Sequence, residues 1–319
     1  MNKLPTISVI IPTYNSTGYI EETLNSLANQ TLADFEVIIV DDQSTDNTVE
    51  VAANIHKKFG LNGNVIVRPE DIPKGVANCR NLGIKYATGD WISFLDSDDL
   101  FMPDKISDTI KLIAAYGDTC YAYFHCSRQF EDGTNKTLGI SSKKSYTEPK
   151  DIFEELTHKN FITTSSVTIK KSLVNSIGGF DSSLHGIEDY MLWLRVAKRT
   201  KWYYNSDVWT DYRVRKSSLM GGREMTYYVG QNAGLIKAAK KTNEFSVQDI
   251  SAIEHYLFYD VMSYYSMVSI DTRGWGDFIK GLKALRRIGK TKLAITLFNK
   301  HFNFLILKKL SFFKNLKTS

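Results

Sequence analysis

Short β-branched runs that each break off into a polar turn, separated by segments with helical spacing, constrain this chain more than any other feature. Ile7 to Ile11 and Phe35 to Val40 are such runs, and Ile20, Leu24 and Leu27 repeat at helical spacing between them. The pattern continues with a helix from about Asn47 to Lys58 and a strand near Asn64 to Arg68. A helix from about Val76 to Ala87, stopped by Gly89, and a strand from Trp91 to Leu95 follow. This alternation predicts an α/β fold with a mostly parallel sheet covered by helices on both faces. In such sheets ligands bind beyond the carboxyl ends of the strands, so the polar residues directly after each strand become the candidates. Past about residue 115 the alternation weakens. Tyr121 to Cys126 and Ser165 to Ile169 read as strands, Asp151 to Leu156 and Glu188 to Lys198 as helices, and Glu224 to Ser269 as mainly helical.

Charge divides the chain unevenly. Residues 273–319 carry 12 basic groups and one acid, a charge of +11 in a chain of net +5, which leaves −6 on residues 1–272. On a helix, Lys280, Lys283, Arg286, Arg287 and Lys290 share one arc and Leu282, Leu285 and Ile288 the opposite one. Beyond them Phe298, Phe302, Phe304 and Leu305 to Leu307 mix with Lys300, Lys308, Lys309 and Lys314. That mixture suits the interface of an anionic membrane; a terminal helix packed on the protein with a solvated basic face is the alternative. No apolar stretch reaches bilayer length and no signal-peptide pattern opens the chain, so a cytoplasmic protein on the inner face of the cell membrane is expected. No nucleic-acid-binding motif accompanies the basic tail. Cys79, Cys120 and Cys126 form no CxxC pair and read as structural, and the six scattered histidines offer no zinc pattern.

The sharpest local signal is Asp96, Ser97, Asp98 and Asp99 directly after the run WISFL. Three carboxylates in four residues repel one another unless a cation sits among them, and Mg2+ or Mn2+ takes carboxylate oxygens together with phosphate oxygens and water. The structural alternative is an N-cap, Asp98 or Asp99 opening a helix near Pro103. The first strand ends in Pro12, Thr13, Tyr14 and Asn15, the second in Asp41 and Asp42. An aromatic ring and an acidic pair would therefore share the rim with the Asp96 cluster. Tyr14 can lie against a base or ribose, and Asp42 can accept the imide N–H of uracil, although guanine also offers an N–H. Arg80 can present a fork of donors to a phosphate, its alternative being a surface ion pair. Neither GxxxxGK[ST] nor GxGxxG occurs, which speaks against P-loop and typical dinucleotide enzymes.

Taken together, PTYN, VDDQSTDNT, GVANCRNLGIKYATGDWISFLDSDD and GGFDSSLHGIEDYMLWLR, in that order across about residues 5 to 215, resemble inverting glycosyltransferases of family 2. The resemblance implies the GT-A fold, a Rossmann-like sheet with a nucleotide-sugar-binding half (1–115), an acceptor-binding half (116–222) and here a C-terminal helical extension (223–319). It implies a nucleotide-sugar donor, with a UDP-sugar favoured, and a glycan or lipid-linked acceptor in cell-surface polysaccharide synthesis. By position it puts Pro12, Tyr14, Asp42, Arg80, Asp96 and Asp98 on the donor, with Asp98 and Asp96 on the metal. Glu188 and Asp189 match the acidic pair on the acceptor side, with Asp189 as general base. Favourable charge on a first helical turn is the alternative for that pair. The chain departs from the family where many members carry a histidine shortly after a Tyr-Arg pair: Tyr212 and Arg213 are followed by Val214 and Arg215. A guanidinium cannot ligate a metal, so the cation has fewer protein ligands or Arg215 meets phosphate. A sugar nucleotidyltransferase and a catalytically silent membrane-bound partner protein are the rival readings.

Overall fold

The computed structural model describes residues 7–141, 146–215, 225–268, 272–287, 289–290 and 294–295. It contains two compact units, Met1–Leu156 with Asn160–Ser218, and Thr157–Lys159 with Leu219–Ser319.

The first unit opens as the alternation predicts: β1 (Ile7–Thr13), α1 (Ile20–Ala28), β2 (Phe35–Asp41), α2 (Thr48–Lys58), β3 (Gly63–Val67), α3 (Val76–Tyr86) and β4 (Trp91–Phe94). Every residue of β1, β2 and β4 is buried, as helices on both faces require. Then come β5 (Leu100–Phe101), α4 (Lys105–Tyr116), β6 (Cys120–Glu131), β7 (Thr137–Ile140), α5 (Phe153–His158), β8 (Thr168–Lys170), α6 (Lys171–Ile177), α7 (Glu188–Ala197) and β9 (Lys201–Val214). All strands share one sheet in the order β3-β2-β1-β4-β8-β6-β9-β5, with β7 on β6. The segments on either side of residue 115 therefore build a single sheet. β3, β2, β1 and β4 run parallel, β8 is antiparallel to both β4 and β6, and β6 runs parallel to β9.

Two departures have identifiable causes. The strand expected over Ser165 to Ile169 is shorter, because Thr164–Ser166 form a 3-10 turn. The Ser166 hydroxyl bonds to the Thr163 carbonyl at 2.7 Å, a local bond that competes with the sheet ladder. β9 lacks a β-branched run and is held instead by aromatic packing: Phe124 stacks on Tyr204 at 4.5 Å, and Trp193 meets Trp202 edge-on at 5.9 Å.

α3 lies close against β1 because Gly83 has no side chain; a Cβ there would stand 2.4 Å from Ile10 Cγ2. That approach sets the height of Arg80, which sits one turn earlier on the helix. The three cysteines are buried and form no disulfide, and burial, helped by Asp42, pushes the Cys79 thiol up to about 12. Lys105 is fully buried beside the hydroxyls of Ser93 and Thr168, and desolvation pulls its ammonium down to about 7.

The second unit holds α8 (Met225–Lys241), α9 (Val247–Val268) and α10 (Thr272–Arg287). Leu282 and Leu285 of the predicted amphipathic helix pack with Val229, Ile236 and Ala294, so that apolar arc builds the unit's own core. Lys280, Lys283, Arg286 and Arg287 are exposed on the opposite arc. Lys237, Lys240, Lys241 and Lys290 line a cavity of about 490 Å³ with Glu254, which ion-pairs with Lys290. Among the described residues no helix is long and apolar enough to cross a membrane. Ile288 and the apolar and basic mixture beyond residue 295 lie outside the described residues.

Candidate active site

β1 and β2 end in register, Thr13 opposite Asp41, and the Leu95 N–H after β4 donates to the Ile10 carbonyl at 3.1 Å. The three strand ends thus share one rim. Asn15 (φ 47°) and Gln43 (φ 59°) turn the chain out of β1 and β2 through the left-handed region, which asparagine tolerates better than most residues. Asn15 ties the two turns together, its N–H donating to Ser44 Oγ at 2.8 Å and its Oδ1 accepting from the Thr45 N–H at 2.8 Å. The hydroxyls of Ser16 and Ser97 share a hydrogen bond of 2.8 Å, which brings the turn after β1 against the acidic segment after β4.

The residues expected to face a nucleoside divide three ways. Tyr14 is 44% exposed, and Lys74 Nζ stands 3.6 Å from its ring centroid, a cation–π contact. Asp42 is buried: Oδ1 accepts from Arg68 Nε, and Oδ2 accepts from the Gly75 N–H at 3.0 Å. Gly75 holds φ at +138°, a conformation that side chains disfavour. Pro12 is buried inside β1 opposite Val40, so it belongs to the sheet and not to the turn.

Behind β4 the carboxylates separate by burial. Asp99 is 1% exposed and fully engaged, accepting from Ser165 Oγ at 2.5 Å and from the Arg213 N–H at 2.9 Å. Burial first, then the charges of Asp98 and Asp96, push its carboxyl well above the usual range. The Asp96 and Asp98 side chains are 31% and 17% exposed. Arg80 Nη2 donates to Asp96 Oδ1 at 2.7 Å, and Arg215 Nε pairs with Asp98 Oδ2 at 2.9 Å. Burial and the Asp96 charge raise the Asp98 carboxyl, and Arg215 opposes them. Arg213 underpins the segment: its Nε donates to the Asp98 carbonyl at 2.8 Å, its Nη1 to Asp132 at 3.1 Å and its Nη2 to Glu22 at 2.5 Å.

Arg80 departs from the expectation of a phosphate fork. It is buried, and its Nη1 donates to Glu188 Oε1 at 2.9 Å while Nη2 serves Asp96. Both terminal nitrogens are committed to carboxylates, so the guanidinium links the strand-end acids to the first turn of α7. Desolvation alone would lower its pKa; Asp96 and Glu188 outweigh that and raise it. Next to Glu188, the half-buried Asp189 accepts from Thr164 Oγ1 at 3.1 Å and from the Tyr190 N–H at 2.6 Å. Desolvation and the Glu188 charge push its carboxyl up to about 6, against the opposing pull of Arg80.

Residue reasoning had not singled out Arg68, Thr164, Ser165 or Arg213 as site residues. Arg68 follows β3 and could have been found as a polar residue after a strand; Thr164 and Ser165 carry no such signal. The donor set nevertheless fits a hard cation. Asp96 and Asp98 supply accessible carboxylate oxygens, and Mg2+ and Mn2+ complete such sites with water and substrate phosphates. Among the described residues no group of three or more His, Cys, Asp or Glu side chains is arranged to hold a metal by protein ligands alone.

Comparison with known proteins supplies the class. The model of glycosyl transferase family 2 matches residues 8–178, and the chain belongs to that family. The amylovoran biosynthesis glycosyltransferase AmsB of Erwinia amylovora is 34% identical over 197 residues, 60% of this chain and 64% of AmsB. The chain spans 62–64% of the length of AmsB and of three other bacterial relatives. Among solved structures, TarS from S. aureus in complex with UDP-GlcNAc superposes with a TM-score of 0.66 at 20% identity, over 89% of this chain and 80% of TarS. The mannosyltransferase PcManGT from Pyrobaculum calidifontis, in complex with GDP-Man and Mn2+, gives 0.55 at 17% identity, over 94% of this chain and 88% of that one. The fold is therefore that of the GT-A glycosyltransferases.

Proposed function

We propose that this chain is an inverting glycosyltransferase that moves a sugar from a nucleotide-sugar, a UDP-sugar in the first instance, to a hydroxyl of a glycan or lipid-linked acceptor in cell-surface polysaccharide synthesis. The observation that carries the reading is the Asp96–Arg80–Glu188 link, which ties the acidic rim to the helical turn bearing Asp189. In this reading the link holds a donor site and a base at a fixed separation within one unit. AmsB is named for amylovoran biosynthesis, and the UDP-GlcNAc and GDP-Man complexes of TarS and PcManGT support a nucleotide-sugar donor while leaving either base compatible with the fold.

In this reading Tyr14 and Asp42 flank the nucleoside, and Asp96 and Asp98 hold Mn2+ or Mg2+. When bound, that cation supplies charge neutralisation for the departing diphosphate. Asp189 takes the proton of the acceptor hydroxyl as its oxygen bonds to the anomeric carbon, while the bond to the diphosphate breaks on the opposite face. A carboxyl near 6 is mostly ionised at neutral pH yet more basic than an ordinary aspartate, which suits that task. Asp189→Asn should lower kcat by about 10² to 10⁴ and leave donor affinity nearly unchanged. Turnover equal to wild type in a coupled nucleoside diphosphate release assay removes Asp189 from the mechanism.

The exposed basic arc of α10 and the lysine-lined cavity favour contact with an anionic membrane surface, where a lipid-linked acceptor is presented. Removing residues 296–319 and reversing Lys237, Lys240, Lys241, Lys283, Arg286 and Arg287 to Glu should abolish co-sedimentation with phosphatidylglycerol vesicles. Undiminished binding by that variant contradicts the membrane reading.

A further inference from the structure

Three arginines serve the acidic segment after β4, and they differ in how firmly each is held. Arg80 is buried with a carboxylate on each terminal nitrogen. Arg213 is anchored at its Nε and both terminal nitrogens, and its guanidinium lies over the rings of Tyr19 and Phe130 at 5.2 and 4.7 Å. Arg215 pairs with Asp98 at 2.9 Å, lies over Tyr19 at 5.2 Å and is 34% exposed at its side chain, against 5% and 6% for the other two. Of the three it is the one able to leave.

We infer that Arg215 is the resting counter-cation of Asp98, so that a divalent metal gains the carboxylate only when a nucleoside diphosphate draws the guanidinium away. The inference rests on the donor-site reading above. A guanidinium has no lone pair for a metal, so Arg215 and the metal compete for Asp98 and do not share a shell. The planar fork that pairs with a carboxylate also matches two phosphate oxygens, and a diphosphate offers more negative charge than the one carboxylate it replaces. Metal and nucleotide then enter together: each raises the affinity of the site for the other, by the same factor in either direction. Asp98 would otherwise hold a metal ahead of any substrate.

The test is a titration of Mn2+ followed by the electron paramagnetic resonance of the free ion, with no turnover involved. It uses the full chain, with and without UDP, and GDP as a second probe. Without nucleotide, Arg215→Gln should bind Mn2+ about tenfold more tightly than wild type, a difference of about 1.4 kcal/mol. UDP should tighten Mn2+ binding more in wild type than in the variant, and Arg215→Lys, which keeps the charge but not the fork, should fall between them. Near-ultraviolet circular dichroism unchanged in Arg215→Gln verifies that the fold is intact. Equal Mn2+ affinities for wild type and Arg215→Gln without nucleotide, with equal gains from UDP, overturn the inference and leave the donor-site reading standing. If neither protein takes up Mn2+ even with UDP or GDP, the donor-site reading itself fails, and this inference with it.

Discussion

Glu188 and Asp189 stand side by side on the first turn of α7, and their surroundings differ at every contact. Glu188 accepts from Arg80 at 2.9 Å and from the Gly186 N–H at 2.7 Å. Among the described residues Asp189 accepts from a hydroxyl, Thr164, and from the N–H of its own neighbour Tyr190. A helix N-terminus favours negative charge on both residues, yet the Asp189 carboxyl rises to about 6 because burial and the adjacent Glu188 charge outweigh that effect. Two adjacent acids are thus separated into one paired with a guanidinium and one whose carboxyl is raised, a difference of the kind that acid–base sites exploit.

The strongest way to break this comparison is to remove the cation. Arg80→Ala leaves Asp96 and Glu188 facing each other without a counter-charge and should cost about 3–5 kcal/mol in urea unfolding. A loss below about 1 kcal/mol, the range of exposed pairs, would show that the link is not the strut described here. Next in size is the ionisation of Asp189. Because its folded pKa lies above the unfolded value, the native state binds more protons between pH 3.8 and about 6, and stability from this group falls as pH rises through that window. Asp189→Asn should therefore be more stable than wild type at pH 8, by on the order of 1 kcal/mol, while it loses turnover. In the wild type kcat/KM should fall on the acid side with a midpoint near pH 6. A midpoint at the ordinary aspartate value rejects the assignment. The smallest effect is expected from Thr164→Val, which removes the hydroxyl that favours the charged form and should move that acid limb to higher pH by a fraction of a unit.

The parallel half of the sheet was legible because β1, β2 and β4 are buried on both faces, and such strands must be written as unbroken apolar runs. β9 was not, since it is stabilised by rings that meet it from β6 and α7, partners about 80 and 10 residues distant in the chain. The same limit applies at the site. The acids at Asp96 and Asp98 could be picked out from where they fall after a predicted strand, Arg80 from the helix that precedes β4, and Asp189 only through the family resemblance. What Arg80 holds could not, because Glu188 lies 108 residues away. Nor could the burial of Asp42 against Arg68, or the 3-10 turn that offers Thr164 to Asp189 and Ser165 to Asp99.

Side chains two apart on an extended chain share a face, and the end of β9 sends Arg213 and, one step past the strand, Arg215 to the same acidic segment. One residue inserted ahead of Tyr212 would deliver Tyr212 and Val214 there instead. Chain length at this spot therefore decides which side chains reach the acids. Exchanging the residue at 215 would leave Arg213 in place, but an insertion or deletion would strip the acidic segment of both guanidinium groups at a stroke.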